Sequence, residues 1–240
     1  MPSAIAIKKI DGKPGQVYYP LEKITIPAPS PKDNEAVITL TAAALNHRDL
    51  FIRQHLYPGT TFGVPLLADG VGNVTSTGSS SNAKQWLNKR VILNPGTGWD
   101  SAPDGPEAPS GYAILGGTKT NPAGTLADHI GKIEKAVQLG AKGGAGGIIS
   151  VYGMTISPKM DFLMSAVLRN IEVRGSTMGS RKEFADMVAF VREKKLKPVV
   201  SRSVHGLDIK QIDTLFDDMK NASQFGKLVV TLGEGKGSKL

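Results

Sequence analysis

Along its first half the chain alternates short apolar runs with turn residues. Residues 3–10 (SAIAIKKI) and 36–45 (AVITLTAAAL) cluster β-prone side chains and predict strands. Between them Pro20, Pro27, Pro29 and Pro31 suit loops and edge strands, because proline lacks the N–H that a helix interior or central strand requires. The polar group Asn46-His47-Arg48-Asp49 precedes a short amphipathic segment, Leu50-Phe51-Ile52-Arg53, and Tyr57-Pro58-Gly59 reads as a turn. In the stretch Val64 to Val74 the glycines suit close backbone approach in a bent sheet. Lys89 to Asn94 predicts a strand ending in a turn at Pro95-Gly96. A Gly/Pro-rich loop region follows up to Pro122, and Thr125 to Ile130 predicts another strand. Strands this short, with turns this dense, predict a partly open barrel.

The pattern changes at Gly131. Lys132 to Leu139 has helical periodicity, with Ile133, Ala136 and Val137 on one side and Gly140 ending it. Ile148-Ile149-Ser150-Val151-Tyr152 and Ile171-Glu172-Val173-Arg174-Gly175 are apolar runs of the kind that form buried parallel strands. Ser157 to Leu168 predicts a helix with Pro158 near its start. Arg181 to Lys195 predicts an amphipathic helix with Phe184, Met187, Val188 and Val191 at helical spacing. Pro198-Val199-Val200 restarts a strand, Ile209 to Lys220 predicts a helix, and Lys227 to Thr231 closes as a strand. The chain is therefore of mixed α/β class, its second half alternating β and α as a doubly wound sheet does. Four segments are expected: a β-rich domain over 1–130, an α/β layer over 131–200, a segment returning to the first domain over 201–232, and a tail over 233–240.

Composition narrows the chemistry. There is no cysteine, which excludes disulfides, thiolate catalysis and cysteine-based zinc sites. No run approaches the roughly 18 apolar residues of a membrane span, and the N-terminus lacks the apolar centre of a secretory signal. The net charge of +8 is spread from Lys8 to Lys239 without a long basic run or interleaved aromatics. That distribution predicts a solvated or anion-attracting surface rather than one for nucleic acid or membrane. The histidines are scattered and no G-x-S-x-G elbow exists, so Ser/His/Asp catalysis has no support.

LNHRD, YPG and P-x-x-A-D-G-V-G-x-V follow one another in order between Leu45 and Val74. This series resembles the catalytic domain of the medium-chain dehydrogenase/reductase superfamily, and within it the zinc-free quinone-oxidoreductase-like branch of fungi. The resemblance implies a GroES-like, partly open β-barrel catalytic domain plus a truncated Rossmann-type doubly wound α/β layer. It implies NADPH or NADH as hydride donor, no zinc, and a quinone, enone or carbonyl compound as substrate. A homo-oligomer or a full-length relative is the macromolecular partner it suggests.

By the same resemblance Asn46 and Tyr57 lie beside nicotinamide and substrate, and Asp49 helps hold the loop. The residues alone leave it open that Asn46 and Asp49 cap turns. Asn46, Tyr57 and Thr177 are the candidate catalytic residues, orienting substrate and nicotinamide; no strong general acid stands out. Loops after parallel strands form the ligand crevice of doubly wound sheets. The family pattern accordingly puts Gly153, Met154, Thr155, Gly175 and Ser176 at the nicotinamide, and Gly226 and Lys227 near the cofactor. Read as bare sequence, these are also turn residues and a core methionine. Lys132, Lys135 and Lys142 are placed either to contact a 2′-phosphate or simply to be solvated. In zinc alcohol dehydrogenases a cysteine ligand resembles the Asn46 position, and a Gly-His-Glu resembles Ala68-Asp69-Gly70. With His47 alone nearby, a tetrahedral zinc site lacks ligands.

The resemblance has a hole in it. A doubly wound fold is built from βαβ units of at least about 30 residues, yet only Gly131 to Leu196 stands in for a whole nucleotide-binding domain. No G-x-G-x-x-G follows a strand and opens a helix, the arrangement that brings backbone N–H groups to a pyrophosphate. The glycine cluster at Gly140 to Gly147 has the wrong spacing and lies between a predicted helix and a strand. It reads as a junction, as a skipped exon, a faulty gene model or a deletion would leave. The expected function is an impaired oxidoreductase; the alternatives are a non-catalytic binding or dimerisation module, and a chain that does not fold stably. Ser238-Lys239-Leu240 matches the SKL address read by the peroxisomal import receptor. A peroxisomal location is expected, with the cytoplasm as the alternative.

Overall fold

The structure, a computed structural model, describes residues 1–131, 148–151 and 172–233. The helices expected over Lys132 to Leu139 and Ser157 to Leu168 lie outside the described residues. So do Lys132, Lys135, Lys142, Gly153, Met154, Thr155, the glycine cluster at 140–147 and the tripeptide Ser238-Lys239-Leu240.

In chain order the first half contributes β1 (Ser3–Ile7), β2 (Leu21–Thr25), β3 (Ala36–Ala44), α1 (His47–Arg53), β4 (Asp69–Thr77) and α2 (Ser81–Lys84). It continues with β5 (Arg90–Ile92), β6 (Gly96–Thr97), β7 (Ala113–Ile114) and β8 (His129–Gly131). The remainder contributes β9 (Ile148–Val151), β10 (Glu172–Gly175), α3 (Arg181–Lys194), β11 (Val200–His205), α4 (Ile209–Lys220) and β12 (Lys227–Thr231).

β3 is the axis of the main sheet. It pairs antiparallel with β4 along its whole length, and with β8 and β12 over its first and last thirds. The sheet order is β11-β12-β3-β4-β5. Two register shifts in the β3–β4 ladder, at Val37/Ile38 and Leu40/Ala42, bend it as bulges do. Opposite them a side chain on Gly72 would run into the Thr39 carbonyl, so the approach of the two strands requires glycine.

The second sheet, β1 with β2, is tied by single bonds to the segments that lead into β4 and β8. The Ile5 N–H donates to the Leu126 carbonyl at 2.9 Å, and the Leu66 N–H donates to the Ile5 carbonyl at 3.0 Å. Thr125 to Ile130, expected as one strand, is regular only from His129. Its first half instead bonds to Leu66, Leu67 and Ile5. Ile5, Ile7, Ile38, Leu40, Leu66 and Leu126 are fully buried between these layers. The architecture is the expected partly open barrel.

The C-terminal segment returns to this barrel. β11 and β12 pair in parallel, and β12 joins β3. The crossover helix α4 buries Ile212, Leu215, Phe216 and Met219, the i, i+3, i+4, i+7 stripe. Its N-cap Asp208 accepts from the Lys210 and Gln211 N–H groups. α4 packs against α1, where buried Arg53 joins them. Its Nη1 lies 2.7 Å from Asp213 Oδ1, its Nε donates to the Tyr19 carbonyl at 2.9 Å, and its guanidinium sits over the Tyr18 and Phe216 rings.

The α/β layer is smaller: β9 and β10 form a two-stranded parallel sheet. α3 forms where its periodicity predicts, and its capping box (Ser180 and Glu183) is made on both sides. It buries none of its residues, however, and Met187 and Phe190 are about half exposed. Its first turn is fastened to the barrel by Arg181 N–H to Trp99 carbonyl and by the Arg181–Asp100 ion pair at 2.9 Å. Among the described residues no helix is long and apolar enough to cross a membrane.

Candidate functional site

The site is built where β3, β4 and β12 present their ends together. Asn46 has extended backbone (φ −129°) as the N-cap of α1. Its N–H donates to Asp49 Oδ2 at 2.9 Å, so the start of the helix is held from below by a buried carboxylate. This leaves the Asn46 side chain turned toward β12. There Lys227 Nζ donates to Asn46 Oδ1 at 2.6 Å and to Asp69 Oδ2 at 2.7 Å; the Leu45 carbonyl is farther, at 3.4 Å. Asp69 opens β4, opposite Ala44. Gly226 delivers the lysine: its φ is +108°, and a side chain there would collide with the Val199 carbonyl, so only glycine makes this turn without strain.

A cleft of about 550 Å³ opens at this point. Pro198, Val199, Met219 and Phe225 supply its apolar walls, and Asn46, Gln224 and Lys227 its polar groups. Phe225 is 83% exposed, an aromatic face left uncovered at the mouth. A mostly apolar cleft with a few convergent polar atoms is the general form of a small-molecule site.

Behind the cleft Asp49 is fully buried, and its carboxyl is pushed up to about 6. Burial is the main cause and the Asp69 charge adds to it; Arg48, the Asn46 N–H and Lys227 oppose it. Arg48 Nη1 lies 3.4 Å from Asp49 Oδ1, and its two Nη groups donate to the Leu115 and Gly116 carbonyls at 3.0 and 2.9 Å. The guanidinium is 4.8 Å from the centre of the Tyr57 ring. Tyr57 is thus partly buried against the core beside Arg48 and does not line the cleft.

Of the residues singled out in the sequence, the fold brings Asn46, His47, Gly226 and Lys227 to one place. Gly175, Ser176 and Thr177 are exposed, and they do not line the cleft. Ser176 and Thr177 make no side-chain hydrogen bond among the described residues. Sequence reasoning missed Asp69 as the partner of Lys227 and missed the walls at Pro198, Val199 and Phe225. Asp69 stood inside a quoted motif, but nothing in the sequence pairs it with a lysine 158 positions away. Among the described residues no three His, Cys, Asp or Glu side chains cluster as metal ligands, and His47 is exposed.

By similarity to known proteins the chain is alcohol-dehydrogenase-like. The chain is 32% identical to the zinc-type alcohol dehydrogenase-like protein YogA of Leptosphaeria maculans, the match spanning 97% of this chain and all of that one. An alcohol dehydrogenase of Geobacillus stearothermophilus is 23% identical over half of the chain. In three dimensions it is similar to an NAD-dependent alcohol dehydrogenase, with TM-score 0.73, 19% identity, and 96% and 100% of the two chains covered. It is also similar to the crotonyl-CoA carboxylase/reductase AntE in complex with NADP, with TM-score 0.69, 13% identity and 96% and 94% coverage. No protein-family model matches the sequence. The chain belongs to the medium-chain dehydrogenase/reductase superfamily. The alignment with the Leptosphaeria protein runs over 358 positions against 240 residues here, so more than about a hundred of its positions have no counterpart in this chain.

Proposed function

We propose that the chain is an NAD(P)H-dependent oxidoreductase of the medium-chain type, working without zinc on a quinone, enone or carbonyl compound. The observation that carries this is the convergence of Asn46 and Lys227 on an apolar-walled cleft in a chain of this superfamily. The reduced nicotinamide, when bound, supplies the hydride. The cleft suits the nicotinamide and substrate end of such a complex: Asn46 and Lys227 offer polar atoms to orient the rings, and Val199, Met219 and Phe225 exclude water from them. The pyrophosphate end has no G-x-G-x-x-G to cradle it, so affinity for the cofactor is expected to be low. NADPH is the donor proposed, and Tyr57 and Thr177 remain proposed contributors on the family pattern alone.

Thermal unfolding with and without millimolar NADPH tests this reading. A ligand that binds only the folded chain stabilises it by about 2.7 kcal/mol at a hundredfold excess over Kd. An upward shift of the melting temperature is expected; a cooperative melt that NADPH leaves unmoved would sink the enzyme reading for this chain.

A second reading has its own support. The apolar side chains that α3 leaves uncovered, and the hundred or so unmatched positions of the relative, suit a module that pairs with a full-length relative. Such a module would co-purify with that relative and show no response to NADPH. The proposed place of action in either case is the peroxisome, addressed by Ser238-Lys239-Leu240. A fluorescent protein fused ahead of the chain should become punctate in cells and turn diffuse when Leu240 is removed; a diffuse signal from the intact chain would leave the cytoplasm as its location.

A further inference from the structure

We infer that the Lys227 ammonium is the fixed cation of the cleft, and that it binds the ligand's oxygen where a zinc enzyme would use its metal. The inference rests on the oxidoreductase reading for the nature of the ligand, but its geometry stands independently. An ammonium has three N–H donors. Two are well used, on Asn46 Oδ1 at 2.6 Å and Asp69 Oδ2 at 2.7 Å. Among the described residues the third faces only the Leu45 carbonyl at 3.4 Å, beyond the usual N–H···O range. The side chain is 41% exposed and lines the cleft. One donor of a held, charged group is therefore open to an acceptor arriving between Val199 and Phe225.

The surroundings argue for an oxygen ligand and against a metal. A divalent ion entering here would compete with the ammonium for the same two oxygens and be repelled by its charge. Zinc prefers sulfur and nitrogen donors; the chain has no cysteine, and among the described lining residues His47 is the one imidazole, short of a tetrahedral set. Although the Leptosphaeria relative is called zinc-type, the donor set present here does not fit zinc. A carbonyl oxygen, or the negative oxygen that forms as a carbonyl or enone is reduced, accepts a charge-assisted bond from Lys227. Asp69 and Asn46 act through the lysine as positioning residues: they fix its head at the cleft wall, so little side-chain entropy remains to be lost on binding.

The test compares two ligands of similar shape, acetophenone and ethylbenzene, by ligand-observed NMR titration of the full chain. The ratio of their dissociation constants measures what the oxygen contributes. Replacing Lys227 with methionine (K227M), which keeps much of the volume, should cost acetophenone about tenfold relative to ethylbenzene, and K227R should retain most of the preference. Thermal unfolding of K227M checks that it folds, and K227L, which likewise has no donor, serves in its place if it does not. A ratio unchanged in K227M, or in K227L where that variant stands in, overturns the inference. So does zinc, if it stabilises the wild-type chain and fails to stabilise D69N; no zinc-dependent shift is expected. The two readings fail separately. Loss of the NADPH shift with the oxygen preference intact removes the hydride-transfer function and leaves Lys227 as a ligand-binding cation. An NADPH shift with no oxygen preference does the reverse.

Discussion

Phe216→Ala is expected to lower the stability of the chain by about 3–5 kcal/mol, the cost of emptying a fully buried aromatic site. Among the described residues Phe216 is the largest fully buried side chain, and it sits in the middle of the α4 stripe, with Ile212, Leu215 and Met219 around it. It does two things there. Its ring carries α4 onto the barrel core, and its face receives the Arg53 guanidinium at 4.6 Å, which is buried and opposed on the other side by Tyr18 at 4.1 Å. Truncation would leave a cavity and also loosen one side of that cation. Because α4 is the crossover between β11 and β12, the loss would reach the strand that carries Lys227. Urea unfolding should show a lower midpoint with little change in slope. Phe190→Ala on α3, where the ring is half exposed, should change stability by no more than about 1 kcal/mol. Equal effects at the two positions would mean that α4 is not the anchor of the returning segment.

The other large effect is a pH dependence centred on Asp49. Its carboxyl is pushed up to about 6 in the folded chain, chiefly by burial, against roughly 3.9 for an unperturbed aspartate. Between those values the folded state holds the proton more tightly than the unfolded state does. The stabilisation from this group is therefore full below about pH 4 and falls as pH rises to 6, by about 3 kcal/mol in all. Asp49→Asn should remove that slope. Its amide oxygen can still accept the Asn46 N–H, and an uncharged side chain costs less to bury beside Leu50 and Ile52. Stability measured by urea unfolding at intervals from pH 4 to 7 should fall with pH in the wild-type chain more than in the variant. Parallel profiles would show that Asp49 is not the titrating group, and a wild-type-minus-variant difference that rises through this range would contradict the direction of the shift.

The two helices that flank the returning strands separate what could be read in advance from what could not. α4 was legible to the residue, Ile209 to Lys220, because its apolar positions recur at helical spacing directly after a capping aspartate. α3 was legible as a helix for the same local reasons, with Ser180 and Glu183 forming its capping box. Its environment was not legible. Periodicity shows which face of a helix is apolar, but how far that face is covered depends on segments elsewhere in the chain; Phe184, Val188 and Val191 of α3 are only half-buried. The strand expected over Thr125 to Ile130 failed in part for a related reason. Its composition is β-prone, but its first two residues bond to Leu66, Leu67 and Ile5, partners set by how the barrel bends.

At the candidate site the sequence by itself determined the ingredients. The run Asn46 to Asp49, the glycine before Lys227 and the Ala68-Asp69-Gly70 step are all local, and they mark the family pattern. Turns, caps and strand propensities depend on neighbours a few positions apart, and such signals survive in a single sequence. Only the tertiary structure decided that Lys227 meets Asn46 and Asp69, that Tyr57 lies against Arg48 away from the cleft, and that Asp49 is sealed from water. Those outcomes depend on which strand lies beside which and on what excludes solvent. Burial and electrostatic contact are properties of neighbours in space, and they leave no trace in the spacing of residues along the chain.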